Sequence, residues 1–577
     1  MVNFFYPQRL LSFSAGVIVV FLVITTSNGV FSKKSKSSPQ ISYLLEQLSA
    51  TGHISFALTD RLVEAELMPE TKDFYKQNDF GLVWLTPDQA LPQTDSLIFA
   101  LKNAHREGLD SNTYYLSEIT RLHKETFGNY LKIYDFEKLT RLDLLLTDAY
   151  LLYARHLYTG RANPSKLDTA WIAKLRQKDF IPYLQQAITA NRIRKSLADL
   201  LPKHTQYAQL RSQLSIYQDI VKKNGWANFS VANAIKLKQG DTDSIFASLK
   251  KHLMLTKDMP SDTLLEPVFD EKLVRAIKKF QYRNGLEVTG KLDKTTLVAL
   301  NIPVLQQMQT LMLNMERYKW LPENLGDRFI LVNIPAFDLN VYDNYDCKVM
   351  DMRVIVGEVR KQTPIFSDTL DHLIFSPEWS VPLSIARKEM LPMLKRGVSL
   401  EAQGIKVYKN WAYKAKPIDT EEIDWVKVKE NNFNYRLVAR SGDSNPLGYI
   451  MFNFPNPMHI YLHDTPYDGL FQVQRRDLSH GCIRVQYPAH LAGFVMESDI
   501  NWTRNRVVEC MHQYSPMTVK IPGKKVFIHL VYLTTWVNEN GKVCFREDIY
   551  KHDARQWQAI ENAGRKAKTQ LLAVKKN

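Results

Sequence analysis

Apolar and polar residues recur along this chain at a spacing that changes from one region to the next. Residues 10–30 (LLSFSAGVIVVFLVITTSNGV) hold no charged residue, with Arg9 before them and Lys33, Lys34 and Lys36 after. About twenty uncharged, mostly apolar residues can cross a bilayer as one helix. A signal peptide is the rival reading, with Thr25-Thr26-Ser27 the nearest approach to a cleavage site. The Lys cluster outweighs Arg9, so the positive-inside rule does not fix an anchor's orientation. Residues 1–40 are therefore expected to be a membrane anchor or signal segment, ending in the basic, Ser-rich tether KKSKSSPQ.

Residues 41–230 are patterned mainly for helices. Leu142, Leu145, Leu146, Ala149, Leu152 and Tyr153 recur at three- and four-residue intervals, and Gly160-Arg161-Ala162-Asn163-Pro164 ends the run. This region reads as a helical scaffold without a catalytic constellation. Residues 231–303 read as a smaller unit. Leu273, Ala276, Ile277 and Phe280 share one helical face, with Lys272, Lys278 and Lys279 off it. Asn284-Gly285 stops that helix, Gly290 marks a turn, and Asp293 is placed to cap a short helix carrying Leu297 and Leu300. Residues 304–327 are expected to be a connector.

From residue 328 the period drops to two. Phe329-Ile-Leu-Val-Asn-Ile-Pro335 and Met352-Arg-Val-Ile-Val-Gly357 are strand-like. Pro364, Pro377, Pro382 and Pro392 break up the next stretch, and residues 384–443 read as an insertion or lid on a mainly-β domain spanning 328–552. Residues 553–577, with Arg565, Lys566, Lys568, Lys575 and Lys576, read as a basic, solvated tail. The expected fold class is α+β and multidomain: a helical scaffold, a small three-helix unit, and a mainly-β domain with an inserted lid.

Composition narrows the partners. The 577 residues are 45% hydrophobic and 23% charged, which excludes wholesale disorder and a polytopic membrane protein. A net charge of +15 favours an anionic partner: nucleic acid, lipid headgroups or a carboxylate-rich polymer. Zinc-finger spacing, a phosphate-binding glycine loop and an RNA-binding aromatic signature are all missing, so no nucleic-acid partner is expected. The four cysteines, Cys347, Cys482, Cys510 and Cys544, form no CxxC pair, and if Cys482 stays free they allow at most one disulfide.

Chemistry concentrates in two stretches, Met458-His-Ile-Tyr-Leu-His-Asp-Thr-Pro466 and Ser479-His-Gly-Cys-Ile-Arg-Val485. Alternation sets Ile460 and Leu462 against His459, Tyr461 and His463, and Ile483 and Val485 against Cys482 and Arg484. Two such strands side by side would bring Cys482 to His463. The imidazole could take the thiol proton, and Arg484 would favour thiolate. Gly481 would remove a Cβ from the attack path and let the N–H groups of His480, Gly481 and Cys482 converge on an oxyanion. A backbone carbonyl near Asp464, or the Tyr461 hydroxyl, could orient His463. An inert core cysteine, and a zinc site from His459, His463, His480 and Cys482, are the competing readings of these residues alone.

His463 followed by Ser479-His480-Gly481-Cys482-Ile483-Arg484 resembles the signature of the L,D-transpeptidases. The likeness extends to Asn333-Ile-Pro-Ala-Phe337, Gln362-Thr-Pro364, Trp379-Ser-Val-Pro-Leu-Ser-Ile385 and Phe454-Pro-Asn456, as in the large multidomain murein L,D-transpeptidases. Leu237-Lys-Gln-Gly-Asp241, Phe280-Gln281 and Gly290-Lys-Leu-Asp293 resemble a three-helix peptidoglycan-binding domain. Arg484 stands where the broad motif has Asn, as it does in the large subfamily. The resemblance implies Cys482 as nucleophile and His463 as base, with His480, Gly481 and Arg484 in the catalytic set and Tyr461, Ser479 and Trp379 against substrate. It further implies 3→3 cross-linking of peptidoglycan stem peptides through a thioester with loss of D-Ala, no metal or organic cofactor, and acylation by carbapenems. Implied too are a periplasmic location on the inner membrane and cell-wall synthesis enzymes as partners. Hydrolysis by a carboxypeptidase, transfer to a lipoprotein, and a non-catalytic scaffold recruiting wall enzymes through the Phe280-Gln281 unit remain alternatives.

Overall fold

In the computed structural model of this chain, residues 39–570 are described except 59–60, 129–134, 174, 262, 346, 402–403, 411–414 and 421. The uncharged segment 10–30 and the tail residues Lys575 and Lys576 lie outside the described residues, as do the side chains of Arg565, Lys566 and Lys568. Among the described residues no helix is long and apolar enough to cross a membrane.

The helical periodicity of the first third gives Pro39–Thr51, Pro69–Gln77, Pro92–Lys102, Leu116–Phe127, Phe136–Thr159 and Phe180–Thr189. Asp135 starts the long helix Phe136–Thr159 by accepting the Lys138 N–H at 3.0 Å. Leu142, Leu145, Leu146, Ala149 and Tyr153 of its stripe are buried, and so are Leu144, Tyr150 and Leu151 on its other sides. It is a core helix, wrapped all round. Asp143 and Asp148 ride inside it. Asp143 accepts the Trp84 N–H at 3.0 Å, and Asp148 the Thr71 hydroxyl at 2.6 Å and the Met68 N–H at 2.7 Å. Burial pushes both carboxyls up to about 6. The mainly helical reading missed one antiparallel hairpin, His53–Leu58 with Arg61–Glu66.

In the next unit, helices Ile245–Leu255, Glu271–Arg283 and Lys294–Leu300 enclose their own core, with Leu273, Ala276, Ile277 and Phe280 facing in. Asp293 is the N-cap, accepting the Thr296 N–H at 2.8 Å. Gln281 is buried. Its amide donates to Thr289, Thr296 and the Lys291 carbonyl, and its oxygen accepts the Gly290 N–H at 2.7 Å. Phe280 and Gln281 thus hold the unit together from inside and are not a docking surface.

The expected connector, 304–327, is instead built around a buried helix, Val304–Tyr318. Lys319 Nζ and Trp320 Nε1 donate to the His156 and Thr159 carbonyls, 2.9 Å each, satisfying the C-terminal end of the scaffold's long helix. Glu316 pairs with Arg161 of the scaffold. On the other side Arg317 forms an ion pair with Asp553 at 2.7 Å and donates to the Tyr532 carbonyl at 3.1 Å. The expected tail is therefore anchored at its start. It opens as a helix, His552–Gln570, with Gln556 and Ile560 buried and Arg555 paired with Asp168.

The last half builds a rolled sheet, eleven-stranded among the described residues. Its order is Met517–Lys520, His372–Phe375, Ile450–Asn453, Leu462–His463, Ile483–Val485, Cys347–Gly357, Asp338–Asp343, Phe329–Asn333, Phe527–Val531, Phe366–Thr369, with Asp477–Ser479 also against Cys347–Gly357. Phe366–Thr369 closes one end, and His372–Phe375 lies next to the other, yet two residues separate them. The sheet must curl until its ends meet. Leu370 N–H to Val526 and Asp371 N–H to Asn453, both 2.9 Å, stitch that seam.

The lid begins earlier than residue 384. Trp379–Ser380 pairs with Arg436–Ala439, which continues to Ile405–Tyr408 and Pro417–Ile418. Val381, Met390, Leu391, Val407, Phe433 and Leu437 give the lid a separate core. Its helical part contains a π-helical turn, Ala386–Met390. All four cysteines are free thiols, Cys510 and Cys544 buried and Cys347 exposed.

Candidate active site

Leu462–His463 and Ile483–Val485 run parallel, Leu462 opposite Ile483 and His463 opposite Arg484. Ile460, Leu462, Ile483 and Val485 enter the sheet's core. Alternation therefore turns Tyr461, His463, Cys482 and Arg484 to the other face, with His463 and Cys482 diagonal neighbours. The turn leading in is fixed by Asn456, which accepts the Ile460 N–H at 3.0 Å and donates to the Ile460 carbonyl at 2.8 Å. The turn leading out is fixed by Asp464, whose carboxylate accepts the Tyr449 and Thr465 N–H groups at 2.8 and 2.7 Å.

His463 is buried, and its Nδ1 lies 2.6 Å from the Asp464 carbonyl oxygen. A carbonyl only accepts, so Nδ1 carries the proton and Nε2 is the basic nitrogen. Of the two orienting groups open in the sequence, the backbone carbonyl is the one in place. Burial, reinforced by the Arg484 charge, lowers the imidazole to about 3, so it is neutral at rest.

Cys482 closes a tight turn. Ser479 Oγ donates to the Cys482 carbonyl at 2.6 Å and accepts the Gly481 N–H at 3.1 Å. Thr363 Oγ1 donates to the Gly481 carbonyl at 2.8 Å. The thiol donates to the His459 carbonyl at 3.8 Å. His459 itself has φ +54°, which places a non-glycine residue in the left-handed region at the site's edge. The Tyr461 ring stands edge-on to the His463 imidazole, their centroids 5.7 Å apart.

Five expectations change. Burial pushes the thiol up, and the opposing pull of Tyr461 and Arg484 does not overcome it, so Cys482 rests as a neutral thiol and not as a thiolate. The resting sulfur bonds the His459 carbonyl, not His463. Gly481 has φ +117°, and a Cβ there would make only ordinary contacts, with Ile460 Cδ1 at 3.4 Å and the Lys361 and Gln362 carbonyls at 3.7 Å, so backbone conformation rather than space demands glycine. Its N–H is taken by Ser479, leaving His480 and Cys482 from the proposed donor trio. Ser479, expected against substrate, is buried with its hydroxyl spent inside the turn.

Sequence reasoning missed Lys361 and Glu389. The Glu389 carboxylate, from the lid's π-helical turn, bridges Lys361 Nζ at 2.7 Å and His480 Nε2 at 2.7 and 2.9 Å. Nothing local in the sequence joins positions so far apart. His480 is thus engaged by its side chain as well as contributing backbone. Among the described residues no group of three or more His, Cys, Asp or Glu side chains is arranged to hold a metal ion.

Known proteins share parts of this chain. Residues 327–528 match the family model for an L,D-transpeptidase catalytic domain, 261–300 that for a "Putative peptidoglycan binding domain", and 69–214 that for a scaffold domain. The chain is 32% identical over 246 residues to a "Putative L,D-transpeptidase" of Haemophilus influenzae, covering 42% of this chain and 48% of that protein. It therefore spans about half of that relative's length. A 115-residue stretch is 35% identical to matrix metalloproteinase-21 of Cynops pyrrhogaster, 18% of each chain. An L,D-transpeptidase structure from Mycobacterium smegmatis aligns at 10% identity with a TM-score of 0.16, over 36% of this chain and 58% of that one, too weak a likeness to carry an argument.

Proposed function

We propose that this chain, which carries an L,D-transpeptidase catalytic domain and a peptidoglycan-binding domain, is a cysteine acyltransferase that makes 3→3 cross-links in peptidoglycan. The observation that carries the reading is the shared face of Tyr461, His463, Cys482 and Arg484, set on adjoining parallel strands beside a lid whose Glu389 meets His480 of the nucleophile turn.

Both partners rest neutral, so proton transfer accompanies attack instead of preceding it. His463 Nε2 takes the thiol proton as sulfur attacks the carbonyl at the L-centre of a diamino acid in a tetrapeptide stem. This requires the thiol to turn from the His459 carbonyl toward the imidazole. The tetrahedral oxyanion accepts N–H groups of the Cys482 turn, each worth about 3 kcal/mol in the transition state. Collapse breaks the C–N bond, and the terminal D-Ala amine leaves with the proton from Nε2, giving a thioester. The side-chain amine of a second stem then attacks, yields its proton to Nε2, and releases the thiol reprotonated. The neutral, oriented His463 suits both half-reactions. Arg484 supports charge on sulfur and opposes charge on the imidazole, favouring return of the proton to the leaving amine.

The substrate, a polymer rich in free carboxylates, accords with the net charge of +15. A periplasmic location, with the apolar segment 10–30 at the inner membrane, completes the proposal. Purified protein incubated with tetrapeptide muropeptides is expected to release D-Ala and form 3→3 dimers by mass spectrometry. Tripeptide monomers alone would make it a carboxypeptidase, and undiminished D-Ala release by Cys482→Ala would sink the reading altogether.

A further inference from the structure

Beside the nucleophile turn, the wall of the catalytic domain presents two hydrogen-bond donors at one point. His480, two residues before Cys482, offers Nε2. Lys361 offers Nζ from the loop whose carbonyls, Lys361 and Gln362, lie 3.7 Å from where a Gly481 Cβ would be. The group between them is a carboxylate, Glu389. It comes from the lid and not from the wall, and it rides the π-helical turn Ala386–Met390, a local irregularity of the kind found at functional sites. Lys361, Glu389 and His480 keep 37%, 41% and 39% of their side-chain exposure, so these pairs are solvated, individually weak and readily exchanged for an incoming anion. Glu358 also lies 3.6 Å from the ammonium, beyond a direct hydrogen bond. Although partial burial opposes ionisation, Lys361 and His480 hold the Glu389 carboxyl below its usual range.

We infer that Lys361 and His480 form a carboxylate subsite for the donor stem peptide, and that Glu389 is its internal stand-in, displaced when the donor enters under the lid. The inference rests on the transpeptidase reading and deepens it. Two carboxylates of a donor stem could fill the cradle, that of the leaving C-terminal residue and that of the diamino acid, and both share the chemistry that Lys361 and His480 recognise. When Glu389 leaves, its carboxylate returns to water, so donor entry and release of the lid's contact with the nucleophile turn become one event.

The test uses full-length protein and D-Ala release from three donors: the free tetrapeptide, its C-terminal carboxamide, and the tetrapeptide amidated on the diamino acid's carboxylate. Lys361→Met is expected to raise KM for the free donor while leaving KM unchanged for whichever amide has lost the recognised carboxylate, which identifies the source. Glu389→Gln, which removes the competing charge, is expected to lower KM for the free donor by about 2- to 5-fold, the range of an exposed ion pair. Equal KM changes for all three donors in Lys361→Met, or an unchanged or raised KM in Glu389→Gln, would show a surface ion pair only and overturn the inference. Wild-type protein that releases no D-Ala from any donor would instead remove the reading beneath it.

Discussion

At the scale of single residues, the site is a pair of neutral groups waiting for a substrate. His463 is held at about 3 and the Cys482 thiol above its ordinary value, both chiefly by burial. Thiolate is therefore scarce at neutral pH, and the alkylation rate of free enzyme by iodoacetamide is expected to keep climbing with pH through the ordinary thiol range. A plateau near pH 7 would reveal a preformed thiolate–imidazolium pair. Gly481 is the residue whose backbone the chemistry cannot spare. At φ +117° an alanine costs about 1–3 kcal/mol of local strain. Relieving it would rotate the peptide linking His480 to Cys482 and break the Ser479 and Thr363 contacts that hold the turn. Gly481→Ala is expected to lose D-Ala release from a tetrapeptide donor far more than it loses melting temperature; full activity would show that the turn tolerates another conformation.

At the scale of elements, the helix Val304–Tyr318 with Lys319 and Trp320 ties scaffold to catalytic domain. Arg317 is buried against Asp553, and removing one charge leaves the other stranded. Arg317→Met is expected to cost about 3–5 kcal/mol in denaturant unfolding, and Arg317→Met with Asp553→Asn to recover much of it. A double variant no better than the single would show that packing, not charge, holds this junction. This helix also marks where sequence reading ran out. The face of Glu271–Arg283 and the Asp293 cap were legible because their signals lie within one or two turns of chain. The His463 and Cys482 stretches were legible for the same reason, each motif being contiguous. Val304–Tyr318 buries Asn314, Glu316 and Arg317 against Thr534, Arg161 and Asp553, partners far away in the chain, so nothing local in its sequence marks it as the element that joins the two domains. Glu389 meets His480 across 91 positions for the same reason. The Gly481 and Ser479 roles were misassigned because hydroxyl and φ preferences are set by the turn and not by the motif's letters.

At the scale of the whole molecule, stability is tied to pH through buried histidines. Among the described residues, burial holds His156, His252 and His463 at about 3 and His529 and His552 at about 4, against 6.5 for an ordinary imidazole. Below pH 6.5 the unfolded chain binds protons that the folded chain refuses, so stability falls as pH falls, by up to about 1.4 kcal/mol per pH unit for each histidine. Asp143 and Asp148, raised to about 6, and Asp338, Asp464 and Asp553, also raised by burial, act with the opposite sign, but at lower pH than the imidazoles, whose unfolded forms take up protons from pH 6.5. The urea midpoint is expected to drop between pH 7 and pH 5; an equal or higher midpoint at pH 5 would mean these imidazoles are not neutral in the fold. The same architecture holds lid, turn and strands in one frame around a single sulfur. Rapid-quench intact-mass spectrometry of full-length protein mixed with a tetrapeptide donor tests that arrangement most directly. The predicted result is an adduct of donor minus D-Ala, mapped to Cys482, that forms roughly 10²- to 10⁴-fold more slowly in His463→Gln. An adduct on another residue, or one forming at the wild-type rate without His463, would contradict it.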